Sequence, residues 1–301
     1  DQPRSRGLGD VYKRQELEIE KELGLSSKRE IEEYGIEKFN QKCKDSVFRY
    51  VKEWENMTDR IGFWVDMDDP YVTLHNTYIE SGWWILKQMW DRELLYEGLR
   101  GTPHCPRCGT SLSSHEVALG YRENTPDPSV YVKFPLKDDP QTSLLIWTTT
   151  PWTLPGNVGV AVHPDIVYVT VQLEDGERII VAKELYQDVF NELNSFQIVD
   201  ETKGSALQGM QYEAPYNFMP FEEEAHYVVL ADFVTTGEGT GIVHMAAAFG
   251  ADDMAMAMKY DLPVLMTVGE DGCFVEEITP WASMWVLSLI HISEPTRPRL
   301  I

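Results

Sequence analysis

Between residues 16 and 98 the apolar positions recur every three or four residues. Phe39, Cys43, Val47, Val51 and Trp54 share one stripe, as the buried face of an amphipathic helix should. Asp69-Pro70 breaks the pattern. A second stripe follows, made by Ile79, Trp83, Leu86 and Trp90, with Glu80, Lys87 and Arg92 lying off it. Beyond about Asn124 the texture changes. Short β-branched runs at 130–134, 144–150, 167–173, 178–181 and 227–233 are divided by Gly, Pro, Asp and Asn, which predicts strands. Glu174-Asp175-Gly176 supplies a hairpin turn between two of them, and 183–193 suits a short helix. The expected class is α+β: a helical part over 16–98, a cysteine-bearing neck over 99–123, and a compact β-rich domain over 124–286.

Residues 1–15 and 287–301 carry no such periodicity. Their strings GLGDVYKRQ and SLIHISEPTRP resemble translated sequencing-adapter sequence, so both ends are expected to be non-native and are set aside. A length of 301 residues suits about two domains. Nine Trp, fourteen Tyr and eleven Phe exclude a disordered chain. The apolar runs are too short to cross a bilayer, and the first fifteen residues lack the apolar core of a signal peptide, so no membrane role and a cytoplasmic location are expected. Acidic residues outnumber basic ones 49 to 26, for a formal charge of -23. That balance excludes a surface that grips nucleic acid over its whole extent, because phosphate binding needs a basic footprint. A local patch, or a partner domain, would have to carry such contact.

Four cysteines are too few and too unevenly placed for a disulfide framework. Cys105 and Cys108, in CPRCG, form a knuckle that points two thiolates at one centre, half of a four-ligand zinc site. No second CxxC follows. The missing ligands lie outside this chain, or His104, His115 or Cys273 completes the set, or the pair is simply reduced. A redox role fits poorly, since the knuckle neither follows a strand nor opens an apolar helix.

Two polar stretches stand out. In WTTTPWTLPGN (147–157) a strand runs into three hydroxyls and two proline-pinned turns. Alternation puts Thr148 and Thr150 on one face and Thr149 on the other, and Asn157 can both donate and accept. In GTGIVHMAAAFGADD (239–253) glycines flank a short strand that ends on His244, and paired carboxylates follow. Asp252 is placed to cap a helix over 254–260, leaving Asp253 free for a pocket. Each feature also has a structural explanation: Thr suits edge strands, Trp fills cores, and a lone His or a capping Asp is common. A dinucleotide site is excluded, because the glycines precede the strand and GxGxxG is incomplete.

Together, GIEKFNQKC (35–43), RIGFWVDMDDPYVT (60–73), YIESGWW (78–84), CPRCGTSLSSHEVALGY (105–121), WTTTPWTLPGN, GTGIVH (239–244) and FGADD (249–253) resemble the isoleucyl-tRNA synthetase branch of the class I family, over about residues 16–286. The resemblance implies that 16–98 is the helical part of a split Rossmann-type catalytic domain. It makes 124–286 a β-barrel-like editing domain that hydrolyses tRNA(Ile) mischarged with valine. HIGH-like and KMSKS-like signatures are absent, so ATP and Mg2+ belong to the full-length enzyme and not to this chain. Implied partners are the acceptor end of valyl-tRNA(Ile) and the missing catalytic and anticodon-binding domains, with the protein a monomer. The implied catalytic residues are Asp253, holding the substrate ammonium and an attacking water, and Thr148, Thr149 and Thr150 at the terminal ribose and ester. Trp152, Thr153, Asn157 and His244 would bind substrate, and zinc would fall to Cys105 and Cys108. Ala247 stands where the family usually has Pro, which predicts a looser placement of Asp253.

Overall fold

A computed structural model of the chain describes residues 8–70, 72–120, 129–191, 195–279 and 281–288. Most of the two stretches expected to be non-native therefore lies outside the described residues, as does the end of the helix expected over 183–193. The chain divides into two compact units between Leu99 and Arg100.

The first unit is helical: α1 (Leu8–Leu23), α2 (Lys28–Tyr34), α3 (Ile36–Val47), α4 (Val51–Arg60) and α5 (Asn76–Trp90). Ser27 caps α2 by accepting the N–H of Glu30 at 3.3 Å. The first apolar stripe divides at a 3-10 turn, Phe48–Tyr50. Phe39 and Cys43 are buried with Ile19 in a small core, whereas Trp54 is exposed. Burial, with Glu16 and Glu20 nearby, pushes the Cys43 thiol up to about 11. The second stripe forms its helix but stays exposed: Ile79, Trp83, Leu86 and Trp90 are all open, Trp83 to 68%. Among the described residues no helix is long and apolar enough to cross a membrane.

The second unit opens with a two-strand knuckle, β1 (His104–Cys105) and β2 (Thr110–Ser111), then α6 (Ser114–Gly120). There follow β3 (Val130–Pro135), β4 (Thr142–Thr148), β5 (Gly159–Val162), β6 (Val167–Gln172), β7 (Arg178–Ala182), α7 (Tyr186–Val189), β8 (Gln197–Lys203), β9 (Tyr227–Leu230), β10 (Ile242–Met245) and α8 (Ala251–Tyr260). They build a five-stranded sheet of order β3-β4-β7-β6-β8 and a three-stranded sheet of order β10-β5-β9. The β4–β7 and β5–β9 pairs are parallel and the rest are antiparallel.

The fold is α+β, as the pattern predicts, but the expected barrel does not form. Both sheets are open: β3 and β8 end one, β10 and β9 the other, and among the described residues no ladder joins them. A barrel needs every edge paired at a common tilt, and four-residue strands in the small sheet are too short to reach round. The sheets meet instead through the 209–213 segment, where Glu213 N–H donates to Pro135 O and Gly209 N–H to Val228 O, each at 2.8 Å, and through a core that includes Leu144, Ile146, Val160, Val162, Tyr168, Val169, Val228 and Ile242. Each such aliphatic side chain contributes roughly 1.5–3 kcal/mol by leaving water. Tyr168 adds a polar tie, donating its hydroxyl to Gly241 O at 2.8 Å. A second core, with Val229, Met245, Ala247, Ala257 and Leu262, seats α8 near the small sheet.

The glycines of GTG (239–241) have a steric reason. Both take positive φ, +78° at Gly239 and +70° at Gly241, a region that L side chains avoid. A Cβ at Gly241 would lie 2.5 Å from that of Ala182, and one at Gly239 2.7 Å from the Trp147 ring. The loop can therefore lie directly on β7, where Ala182 N–H donates to Thr240 O at 2.9 Å.

Candidate functional site

The site grows from the end of β4. Thr148 is buried, and its Oγ1 accepts the N–H of Thr150 at 3.1 Å. This side-chain turn stops the strand and brings the Thr148 and Thr150 hydroxyls to 3.3 Å. Thr149 and Thr150 are exposed. Pro151 then opens a 3-10 helix, Pro151–Gly156, as a residue with preset φ and no N–H can at a first helical position. Thr153 donates both its N–H, at 3.0 Å, and its hydroxyl, at 2.8 Å, to Thr150 O.

His244 comes from β10 and meets the same hydroxyl, with Nε2 2.8 Å from Thr153 Oγ1. The one Thr153 hydroxyl hydrogen is spent on Thr150 O, so Nε2 must carry the imidazole proton and Nδ1 must be a bare acceptor. Nδ1 is buried and has no partner among the described residues. Burial holds the ring down to about 4, so it is neutral at physiological pH. A neutral ring with one unspent lone pair can accept one more hydrogen bond.

β10 continues to Ala246, whose N–H donates to Asp253 Oδ2 at 3.0 Å. Asp253 lies in the first turn of α8, which starts at Ala251 after Gly250 and has no side-chain cap. Asp252 is therefore not the cap expected from the sequence; it sits one residue into the helix and is exposed. Burial raises the Asp253 carboxyl above its ordinary value, the Ala246 N–H opposes this, and Asp252 adds to it. Phe249 N–H closes the intervening turn on Ala246 O at 2.9 Å. Ala247 is buried inside this turn, and the Ala246 N–H holds one oxygen of Asp253.

Hydrogen bonds thus run from Thr148 through Thr150 and Thr153 to His244, and two residues of backbone, through Met245 to Ala246, lead on to the Asp253 anchor. Asn157 underlies this run. Its Nδ2 donates to Gly159 O at 3.0 Å and Met245 O at 3.4 Å, and its Oδ1 accepts from Tyr212 at 2.6 Å. Those bonds make it a strut beneath the site. Trp152 is half-buried, packed against the Phe274, Ile278 and Val286 cluster and edge-on to Phe249 at 5.2 Å. Sequence reasoning did not single out Phe249, although it stands in the FGADD string. It also missed Thr267, a fully buried residue whose hydroxyl has no partner among the described residues.

The cysteine knuckle is a separate feature. Gly109 N–H returns to Cys105 O at 2.8 Å with φ +61°. Burial would raise the Cys105 thiol, but the backbone and side chain of Cys108, with the Arg107 N–H and guanidinium, outweigh it and hold the thiol below its ordinary value. That suits a metal ligand. Yet no group of three or more His, Cys, Asp or Glu able to hold a metal occurs among the described residues. His104 is instead bonded to Glu270 O at 2.8 Å, and the His115 side chain lies outside the described residues. The residues present fit half a site.

The family of tRNA synthetases class I (I, L, M and V) matches residues 14–287. An isoleucine--tRNA ligase of Clostridium novyi (strain NT) is 52% identical over 271 residues, covering 90% of this chain. That of Thermus thermophilus is 54% identical over 267 residues, covering 87%. The chain belongs to the class I aminoacyl-tRNA synthetases, in their isoleucine--tRNA ligase branch. It spans 26% and 25% of the length of those two ligases. Among solved structures, that titled "The crystal structure of GlLeuRS-CP1" aligns with a TM-score of 0.46 at 17% identity, over 56% of this chain and 95% of that one. The P. knowlesi cytosolic leucyl-tRNA synthetase editing domain aligns at 0.41 and 13%, over 57% and 96%. Membership in the ligase branch rests on the sequence matches; the two structural likenesses are loose.

Proposed function

We propose that this part of the synthetase hydrolyses the ester of tRNA(Ile) mischarged with valine, within an enzyme whose full length performs ATP- and Mg2+-dependent isoleucine ligation. In this reading residues 16–98 belong to the catalytic domain and 124–286 to the editing domain of a cytoplasmic monomer. The observation that carries it is the run of hydrogen bonds that joins the Thr148–Thr153 hydroxyls to a neutral His244, two residues along the backbone from the N–H that holds the Asp253 carboxylate.

The need for a second site is physical. One methylene in an apolar pocket is worth only about 1–3 kcal/mol, a limit for which isoleucine against valine is the standard example. A smaller cavity excludes isoleucine sterically. Asp253 holds the α-ammonium and places a water. Thr148, Thr149 and Thr150 engage the terminal ribose and the ester, while Trp152, Thr153 and His244 bound the side-chain space. His244 Nδ1 takes a hydrogen bond from the bound substrate or its water, and Asn157 serves by holding the two segments together. Water adds to the ester carbonyl and the ribose oxygen leaves with a proton, giving valine and free tRNA; orientation and a polarised carbonyl suffice without a covalent nucleophile. Cys105 and Cys108 would give two thiolates to zinc, the remaining ligands coming from the rest of the longer protein.

The test is release of amino acid from Val-tRNA(Ile) and Ile-tRNA(Ile). Valine-selective release that is lost in Asp253→Ala is expected, and equal release of both would defeat the size-exclusion assignment. A second reading is an inert tRNA-binding or structural remnant; the net charge of -23 favours its structural form, since it opposes phosphate binding by this chain alone. A folded chain releasing neither amino acid would favour it.

A further inference from the structure

Tyr212 takes no part in the reaction just proposed, yet it is fully buried behind the site. Its ring stacks on Phe134 of the large sheet at 5.1 Å. Its hydroxyl donates to Asn157 Oδ1 at 2.6 Å. Asn157 passes the restraint on in two directions: Nδ2 donates to Gly159 O, at the start of β5, and to Met245 O, at the end of β10. Val158 N–H also donates to Met245 O, at 2.9 Å. His226 closes the arrangement from the other side. Its Nε2 lies 3.0 Å from Asn157 O, and a carbonyl can only accept, so Nε2 is the donor.

We infer that Tyr212 is a positioning residue: through Asn157, its hydroxyl fixes the register between the threonine turn and the end of β10 that bears His244 and the Asp253 anchor. The inference rests on the editing reading for its kinetic consequence. It rests on geometry alone for its structural one.

Two features make the hydroxyl, and not only the ring, the working part. Burial pushes the phenol well above its ordinary range, so it remains a donor at all working pH values. Without this donor Asn157 Oδ1 would be left buried and unpaired, and only the Nδ2 bonds to Gly159 O and Met245 O would hold the amide. Any swing of the amide towards another donor would draw Nδ2 off those carbonyls and weaken the cross-brace between the turn and the strand end. Met245 is the residue immediately before Ala246, so slack at Met245 O reaches the N–H that holds Asp253 directly. Misplacement by about 1 Å at a reacting group can cost about 100-fold in rate.

The experiment is amide hydrogen exchange on the full chain, comparing the unaltered protein with Tyr212→Phe and Asn157→Asp. Tyr212→Phe keeps the ring stack and removes one atom. Asn157→Asp keeps the acceptor for Tyr212 but loses both donations. Phe134→Leu serves as a packing control. Both polar variants should raise exchange at Val158 and Ala246 about 10-fold or more while β6 and β7 amides keep their protection, whereas Phe134→Leu should loosen the large sheet without singling out those two amides. Valine release from Val-tRNA(Ile) should then show kcat reduced about 10-fold in Tyr212→Phe with KM within about twofold. Unchanged exchange at Val158 and Ala246 in both polar variants overturns the inference. An unaltered chain that releases no valine sinks the editing reading instead, and the exchange comparison still decides the role of Tyr212.

Discussion

His244 illustrates how much of the site is set by single atoms. Its ring is buried and held down to about 4, against about 6.5 in an unfolded chain. The folded protein therefore binds fewer protons than the unfolded chain between those values. Stability from this residue is intact above pH 6.5 and falls by up to about 1.4 kcal/mol for each unit as the pH drops towards 4. Chemical denaturation across that range should show the slope, and His244→Gln should flatten it; an equal slope in the variant would place the acid sensitivity elsewhere. Thr267 offers a test of the opposite sign. Its hydroxyl is buried without a partner among the described residues, and such groups cost about 1–3 kcal/mol. Thr267→Val, close in shape, should raise Tm, and a fall would mean that the hydroxyl has an occupant. At this scale the sequence was readable for chemistry but not for partnership. Thr148, Thr153, His244 and Asp253 stand in recognisable strings. That Asn157 is bonded internally was hidden, because its partner Tyr212 lies 55 positions away and carries no local signal.

At the level of elements, strands that bury one or both faces declared themselves. The runs at 130–134, 167–173 and 178–181 appear as β3, β6 and β7 within a residue or so. The run at 144–150 slips: β4 covers Thr142–Thr148, because Thr148 bonds to Thr150 N–H and ends the ladder. β5 went unread, since Gly159–Val162 is four residues long and joined to a Pro- and Gly-rich turn. β8 also went unread, because Gln197–Lys203 is exposed along almost its whole length and shows no alternation. Open sheets could not be foreseen, as closure depends on pairing between distant segments and local texture does not encode it. The glycine loop gives an element-level prediction. Gly241→Ala places a methyl 2.5 Å from Ala182 Cβ at a positive φ. A loss of about 2–4 kcal/mol is expected from overpacking together with backbone strain, read by urea unfolding. A variant as stable as the parent would show that the loop does not lie on β7.

Across the whole molecule, apolar surface is distributed unevenly. In α5, Trp83, Trp84 and Trp90 are each about two-thirds exposed, in a helix apolar on more than one side, the pattern of an element meant to be covered. Trp83→Gln should leave the unfolding midpoint nearly unchanged, within about 0.5 kcal/mol, while lowering dye binding and aggregation measured by light scattering. A marked loss of stability would instead show that Trp83 already packs within this chain.

An open sheet also raises a question of self-association. β8 is an outer strand, and among the described residues its free side has no neighbour, so it offers a second molecule a template for adding a strand. Ile198 and Val199 are exposed there and would favour stacking. Asp200 follows immediately, and copies laid in register would set its charge against its own counterpart, while Glu201 beside it is paired with Lys183 at 2.6 Å. The Asp200 carboxylate is the expected gatekeeper against fibril growth. Asp200→Thr should shorten the lag of thioflavin-positive assembly, and Ile198→Lys should lengthen it again.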